Sequence, residues 1–406
     1  MAEGVAGFAE RVLWSRTLAD KLAPPVSLDD RPAPALTVLP EAPGRPPGLG
    51  LRDARARRPS PTARDLARPD GRGRVLHGFA NHELLALELM ALMLLRFPDA
   101  PTGWRLGLVS TMRDEQRHLA AYLDRMRECG VEAGEEPVSA FFWDSLARAT
   151  DPLAFTAAMG LGFEQANLDF ALVWRKAFAD AGDAETAAVL DGVYEDEIRH
   201  VRHGLSWYRR LASREIDFDD WAGQLVFPMS TARARGPVID REGRRRVGLP
   251  DAFTDRLEVS GASRGRPPRV WSFSSTLEDE IAGRTPSKVA RVVSRDLQHL
   301  PLLLAHHEDV VLAEPASVDF LRGLRAAGFP PAELADRASL EGRAVGELRP
   351  WGWTPSVEAA MRGLGPSGWA PSARALWGKD AAAPWQADGP LATRCCADLD
   401  AVAAAL

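Results

Sequence analysis

The stretches "DEQRH" (114–118) and "DEIRH" (196–200) decide how this chain is read. One order of residues, Asp-Glu-x-Arg-His, occurs twice, 82 residues apart, each time within an apolar pattern of helical period. Positions i and i+3 of a helix share a face. Glu115 and His118 therefore point the same way, as do Glu197 and His200, and each pair offers a carboxylate and an imidazole to one ion. A single Glu-x-x-His is an ordinary surface feature. Two of them, each preceded by Asp, call for a common cause.

Around the repeat lie four helical segments. The first, "VLHGFANHELLALELMALMLLRF", covers 75–97 and stops at Pro98. The second runs from Thr102, read as an N-cap, to Cys129, with Gly130 ending it. The third begins at Asp151-Pro152, cap then proline at the first helical position, and reaches Ala181. The fourth runs from Asp183 to about Leu211, and a short helix is expected at 138–148 in the wide link between second and third. Two helical hairpins joined by a crossover make a four-helix bundle. Glu-x-x-His from two of its helices and one Glu from each of the others can build a dinuclear metal site.

The other two helices carry such glutamates. Glu83 stands 32 residues before Glu115, and Glu164 stands 33 before Glu197. Antiparallel helices must return to the same height, so matched spacings matter. "HELLALEL" (82–89) aligns with "FEQANLDF" (163–170), placing Glu83 on Glu164 and Glu88 on Asp169. The chain therefore reads as an internal pseudo-twofold. Glu83 is favoured as the ligand on the first helix and Glu88 is its rival, with Asp169 as the mate of Glu88. A metal-bound histidine usually gives its other N–H to a carboxylate. Asp114 is accordingly expected to face His200, and Asp196 to face His118. His82 and His203 are further histidines near the site, each a further ligand or an edge residue. Tyr122 and Tyr194 are candidates for electron transfer, or are core tyrosines with a hydrogen-bonded hydroxyl.

The flanks differ in character. Residues 5–22 read as one short helix. Residues 24–74 are rich in proline, glycine and arginine, where no helix is expected, and form an extended arm, disordered or laid across a surface. Its charge suits RNA, or an acidic patch of its own protein. Residues 213–268 read as a packed connector with one short helix at its end. Strands are expected at Arg269–Ser274 and Asp309–Ala313, with helices at 286–296 and 316–327, a small parallel α/β domain. The domain bounds are thus 1–74, 75–212, 213–268 and 269–406. The tail of the last of these repeats tryptophan in "RPWGWTPS" and "SARALWGKD".

The 406 residues suffice for two or three domains, and a net charge of −6 gives no general field for nucleic acid. No apolar run approaches the ~20 residues of a membrane span. The N-terminus lacks the basic start and apolar stretch of a signal peptide. Cys129, Cys395 and Cys396 have neither metal nor disulfide spacing. The expectation is a cytoplasmic protein that meets no membrane.

At "FANHELLALELMALMLLRFPDAP", "RDEQRHL" and "EDEIRHV", with "LADKLAPP" and "GRGRVLHGFANHE" before them, the chain resembles the ferritin-like di-iron carboxylate superfamily. More narrowly it is similar to a bacterial ferritin-like family of undefined function, distantly like tRNA hydroxylases, over about residues 8–258. The resemblance implies two irons held by Glu83, Glu115, His118, Glu164, Glu197 and His200, with manganese or a mixed pair as the alternative. The run "FEQANLD" departs from the smaller, arginine-containing run of relatives. "DVVLAEPASVDFLRGLRAAGFP" and "GELRPWGWTPSVEAAM" resemble the leading α/β domain of ATP-grasp ligases, without a phosphate-binding glycine loop. The expected function is an O2-dependent oxidase or oxygenase of an unidentified small-molecule or peptide-derived substrate. One alternative is a non-catalytic, metal-stabilised interaction protein that recruits a separately encoded ATP-grasp ligase. The other is metal storage.

Overall fold

In the computed structural model of the chain, residues 3–31, 33–51, 61–226, 228–260, 267–329, 331–341, 343 and 345–365 are described. The chain divides into two compact units, Met1–Glu258 and Val259–Leu406. The first is helical, and the second carries a small parallel sheet.

The first unit opens with α1 (Val5–Trp14) and α2 (Leu18–Leu22), where the sequence reads as one helix. Ser15 turns the backbone extended, and the Thr17 side chain accepts from Asp20 N to start α2 afresh. The arm that follows lies on its own protein. Leu36 N donates to Leu95 O (2.8 Å), Gly44 N to Leu13 O (2.8 Å), and Asp30 pairs with Arg105 (2.8 Å).

Next comes α3 (Pro69–Arg96), which starts six residues before the expected Val75. Pro69 at the first position and Asp70 in the first turn set that start, and Gly71 does not break the helix. A Cβ on Gly71 would lie 1.9 Å from Asp65 O, so glycine is needed for the approach of the preceding turn. From Glu83 to Leu95 every residue is buried. By length and composition α3 could cross a membrane, a property the expectation of no such run overlooked, yet 83% of its most apolar window is buried within the protein. It is the central core helix, packed against α1 and α4 (Thr102–Glu128). Pro101 caps α4, so Thr102 is its first helical residue and not its cap.

The short α5 (Phe141–Leu146) also packs on α3. Then α6 (Pro152–Ala158) begins as expected, with the Asp151 side chain capping Ala154 N. The expected single helix to Ala181 is interrupted: Met159–Phe163 form a π-helical turn, and α7 (Glu164–Asp180) begins at the glutamate. At this turn Gly160 meets Gly204 of α8 (Ala184–Ala212), where a Cβ on Gly204 would lie 3.0 Å from Gly160 Cα. The hairpins α3–α4 and α7–α8 join along α4 and α8. The connector holds three helices where one was expected, α9 (Phe218–Gly223), α10 (Arg241–Val247) and α11 (Asp251–Val259). It is pinned by Trp221, whose indole N–H donates to Ala157 O (3.0 Å).

In the second unit four parallel strands lie in the order β3-β2-β1-β4. These are β1 (Val270–Ser272), β2 (Val310–Leu312), β3 (Glu333–Ala335) and β4 (Leu348–Pro350). The first two fall inside the expected strands, and the expected helices appear at Lys288–Asp296 and Val318–Ala326. Val310 and Val311 feed separate clusters of buried residues, as alternation in a strand covered on both faces requires. "SARALWGKD", Cys395 and Cys396 lie outside the described residues.

Candidate metal centre

All four long helices bring a carboxylate to one place. Glu83 comes from α3, Glu115 and His118 from α4, Glu164 from the start of α7, and Glu197 and His200 from α8, and all six are buried. Donor atoms of Glu83, Glu115 and His118 lie within 4.8 Å of one another, and so do those of Glu115, Glu164 and His200. Glu115 belongs to both groups. Its Oε2 is 3.1 Å from His118 Nδ1 and its Oε1 is 3.3 Å from His200 Nδ1. Glu197 Oε2 lies 3.4 Å from His200 Nδ1.

The outward nitrogens are held in the crossed pattern expected. His118 Nε2 is 2.9 Å from Asp196 Oδ2, and His200 Nε2 is 3.2 Å from Asp114 Oδ2. The arginines of the repeat complete the pattern. Arg117 pairs with both Asp114 and Asp196 (2.8 Å to the latter), and so does Arg199 (3.5 Å to Asp114). Two aspartates and two arginines thus alternate above the two imidazoles, so Asp, Glu, Arg and His of the motif each have a place.

Inside, four polar atoms lack partners. Glu115 Oε1, Glu164 Oε1, Glu197 Oε2 and His200 Nδ1 are buried with no hydrogen bond. Burial of such atoms is costly unless something compensates. Four carboxylates and two imidazoles gathered in the interior are donors that suit a divalent transition metal, and the orphaned atoms fit such an occupant.

The charges agree. Burial pushes the Glu83 carboxyl well above the usual range, with Glu115 adding to it. Burial does the same at Glu164, helped by Glu197 and Glu115. Against the cost of burial, His200 and His118 hold Glu115 below the usual range. Burial also opposes charge on His118, but its hydrogen bonds to Asp196 and Glu115 raise it to about 9. His200 rises well above the ordinary imidazole value, burial being outweighed by Glu115, Asp114 and Glu197. Glu83, Glu164 and both histidines are thus all pushed toward holding protons. A metal cation bound there would take the place of such protons.

Other sequence candidates lie elsewhere. Glu88 is fully buried, but Lys21 (3.0 Å) and Arg45 (2.6 Å) already neutralise it. Asp169 is held by Arg244 (2.6 Å) and by the backbone N–H of Gly236 and Asp240. Both acids are therefore corrected from candidate ligands to anchors, of the arm and of the connector respectively. His82 is exposed and stacks on Phe142 at 4.8 Å. His203 fills the space over Gly107, edge-on to Trp207 at 6.3 Å, and burial lowers it to about 4. Neither histidine joins the cluster. Tyr194 donates to Asp240 (2.7 Å), away from the carboxylates, and is a packed tyrosine with a bonded hydroxyl. Tyr122 remains beside the site: burial, then Glu83, Glu197 and Glu115, push its phenol well above the usual value. Asn167 is a contact the sequence reading missed; its side-chain N–H donates to Glu197 Oε1 (3.0 Å).

The sequence profile of a family described as "Protein of unknown function (DUF455)" matches residues 9–255. An uncharacterized protein of Haemophilus influenzae is 26% identical over 195 residues, which cover 46% of this chain and 67% of that protein. No solved structure gives a significant match.

Proposed function

We propose, for a chain that belongs to the DUF455 family, that the first unit is a ferritin-like bundle holding two metal ions, iron by preference, and acts as an O2-dependent oxidase or oxygenase. The observation that carries the reading is the meeting of buried carboxylates from four helices with two imidazoles, where four inward atoms, on α4, α7 and α8, have no hydrogen bond. The ligands are Glu83, Glu115, His118, Glu164, Glu197 and His200. When bound, a redox-active pair supplies electrons to O2. The protein's part is to hold and shield. Asp196 and Asp114 accept the outward N–H of His118 and His200, which leaves Nδ1 of each ring as the inward donor. Glu115 spans the two imidazoles. The six side chains are themselves buried, out of reach of bulk water. Tyr122 is the phenol set near the carboxylates.

The test is O2 uptake by full-length protein loaded anaerobically with Fe(II). The expected result is O2 consumption in proportion to bound iron, lost in the Glu115→Ala, Glu197→Ala variant. Bound iron that stays ferrous in air would overturn the reading and favour a structural metal in an interaction protein. Elution from gel filtration as a large shell, with many irons per chain, would favour storage.

A further inference from the structure

The two hairpins repeat one another closely, but one difference falls on the ligands. Glu197 Oε1 accepts the side-chain N–H of Asn167, one turn beyond Glu164 on α7. The matching position one turn beyond Glu83 is Ala86, which has no hydrogen to give. Glu115 has no amide donor on it, and its two oxygens lie 3.1 Å and 3.3 Å from the two imidazoles. Glu197 keeps one oxygen for Asn167 and turns the other to its own His200, at 3.4 Å. The π-helical turn before Glu164 also belongs to one hairpin alone.

We infer that Asn167 makes the two metal positions unequal. It restrains Glu197 from bridging, so one position is held by Glu115, Glu164, Glu197 and His200, and the other by Glu83, Glu115 and His118. The four-ligand position has the additional carboxylate and fills first. The three-ligand position fills second, exchanges more readily, and has the opening for an outside ligand. Asn167 acts through Glu197 and is a positioning residue. The inference rests on the metal-pair reading above and goes further in ranking the two positions.

The test is equilibrium binding of Mn(II) to metal-free full-length protein, with free Mn(II) counted by electron paramagnetic resonance and folding checked by circular dichroism. The wild type is expected to take two ions, the first at least about tenfold tighter than the second, the scale on which groups that orient ligands act. Asn167→Ala, which frees Glu197 to bridge, is expected to narrow that gap severalfold. His118→Ala is expected to keep the tight ion and lose the weak one, and His200→Ala to keep only a weak ion. Two ions of equal affinity in a folded wild type would overturn the inference while leaving the metal pair intact. So would an unchanged gap in Asn167→Ala, or loss of the tight ion in His118→Ala with its retention in His200→Ala. No binding by the folded wild type would overturn the pair itself, and the inference with it.

Discussion

Arg117 and Arg199 show how much of the repeat is architecture. Glu-x-x-His needs neither an aspartate before it nor an arginine within it, yet both recur. The aspartates hold the opposite histidines, and the arginines hold the aspartates. Asp196→Asn is expected to weaken metal binding about 10–100-fold. Arg117→Ala should cost less, because that guanidinium is mostly exposed and water screens it. Competition with a chelator measures both, and equal affinity in all three proteins would count against the orienting role. Protons give a second check. His118 holds its proton up to about 9, and Glu83 and Glu164 hold theirs above the usual carboxylate range. Metal must displace them, so affinity is expected to fall as pH falls below about 9. Titration calorimetry at pH 7 in two buffers of different ionisation heat should report net proton release. Zero release would contradict the charge assignment. The crossed Asp–His pairing was legible because a repeat preserves the partner along with the ligand. Asn167 was not legible, since a lone asparagine on a helix carries no sign of what it faces.

At the scale of elements, the internal repeat extends beyond the ligands. Glu88 and Asp169 occupy matching positions five residues after Glu83 and Glu164, and each anchors the irregular segment that covers its hairpin. Removing one partner of a buried pair strands the other charge. Arg244→Ala is therefore expected to lower unfolding free energy by about 3–5 kcal/mol in denaturant titration. A change under 1 kcal/mol would show that the pair is not isolated from water as drawn. Sequence signals located the long helices where prolines and caps sit, at Pro98, Asp151 and Asp183. They failed where tertiary contact decides. The early start of α3, set by Pro69 and Asp70, also needs Gly71 to let Asp65 approach, and at the π-helical turn Gly160 meets Gly204. Neither contact has a local pattern. The three-residue strands β3 and β4 are likewise too short to alternate visibly.

In the whole molecule, all six proposed ligands and both anchors belong to the first unit. A chain ending at Glu258 is expected to bind the same amount of metal as the full chain, measured on purified protein. A chain beginning at Pro69 lacks Lys21 and Arg45, leaves Glu88 stranded, and uncovers the face of α3 that α1 buries. It is expected to lose cooperative thermal unfolding. The order of helical unit and parallel α/β unit was readable from the change between a period of 3.6 and short apolar strands. The fate of the proline-rich arm was not, because its contacts are single residues such as Arg45 and Asp30 reaching distant helices. On the reading proposed above, the buried carboxylates and imidazoles hold two metal ions. Mass-spectrometric metal content of full-length protein from iron- and manganese-supplemented cells, beside the Glu115→Ala, Glu197→Ala variant, tests it most directly. About two metals per chain in the wild type, lost in the folded variant, is the result predicted. A folded wild type without bound metal, or a variant that keeps the full amount, would contradict it.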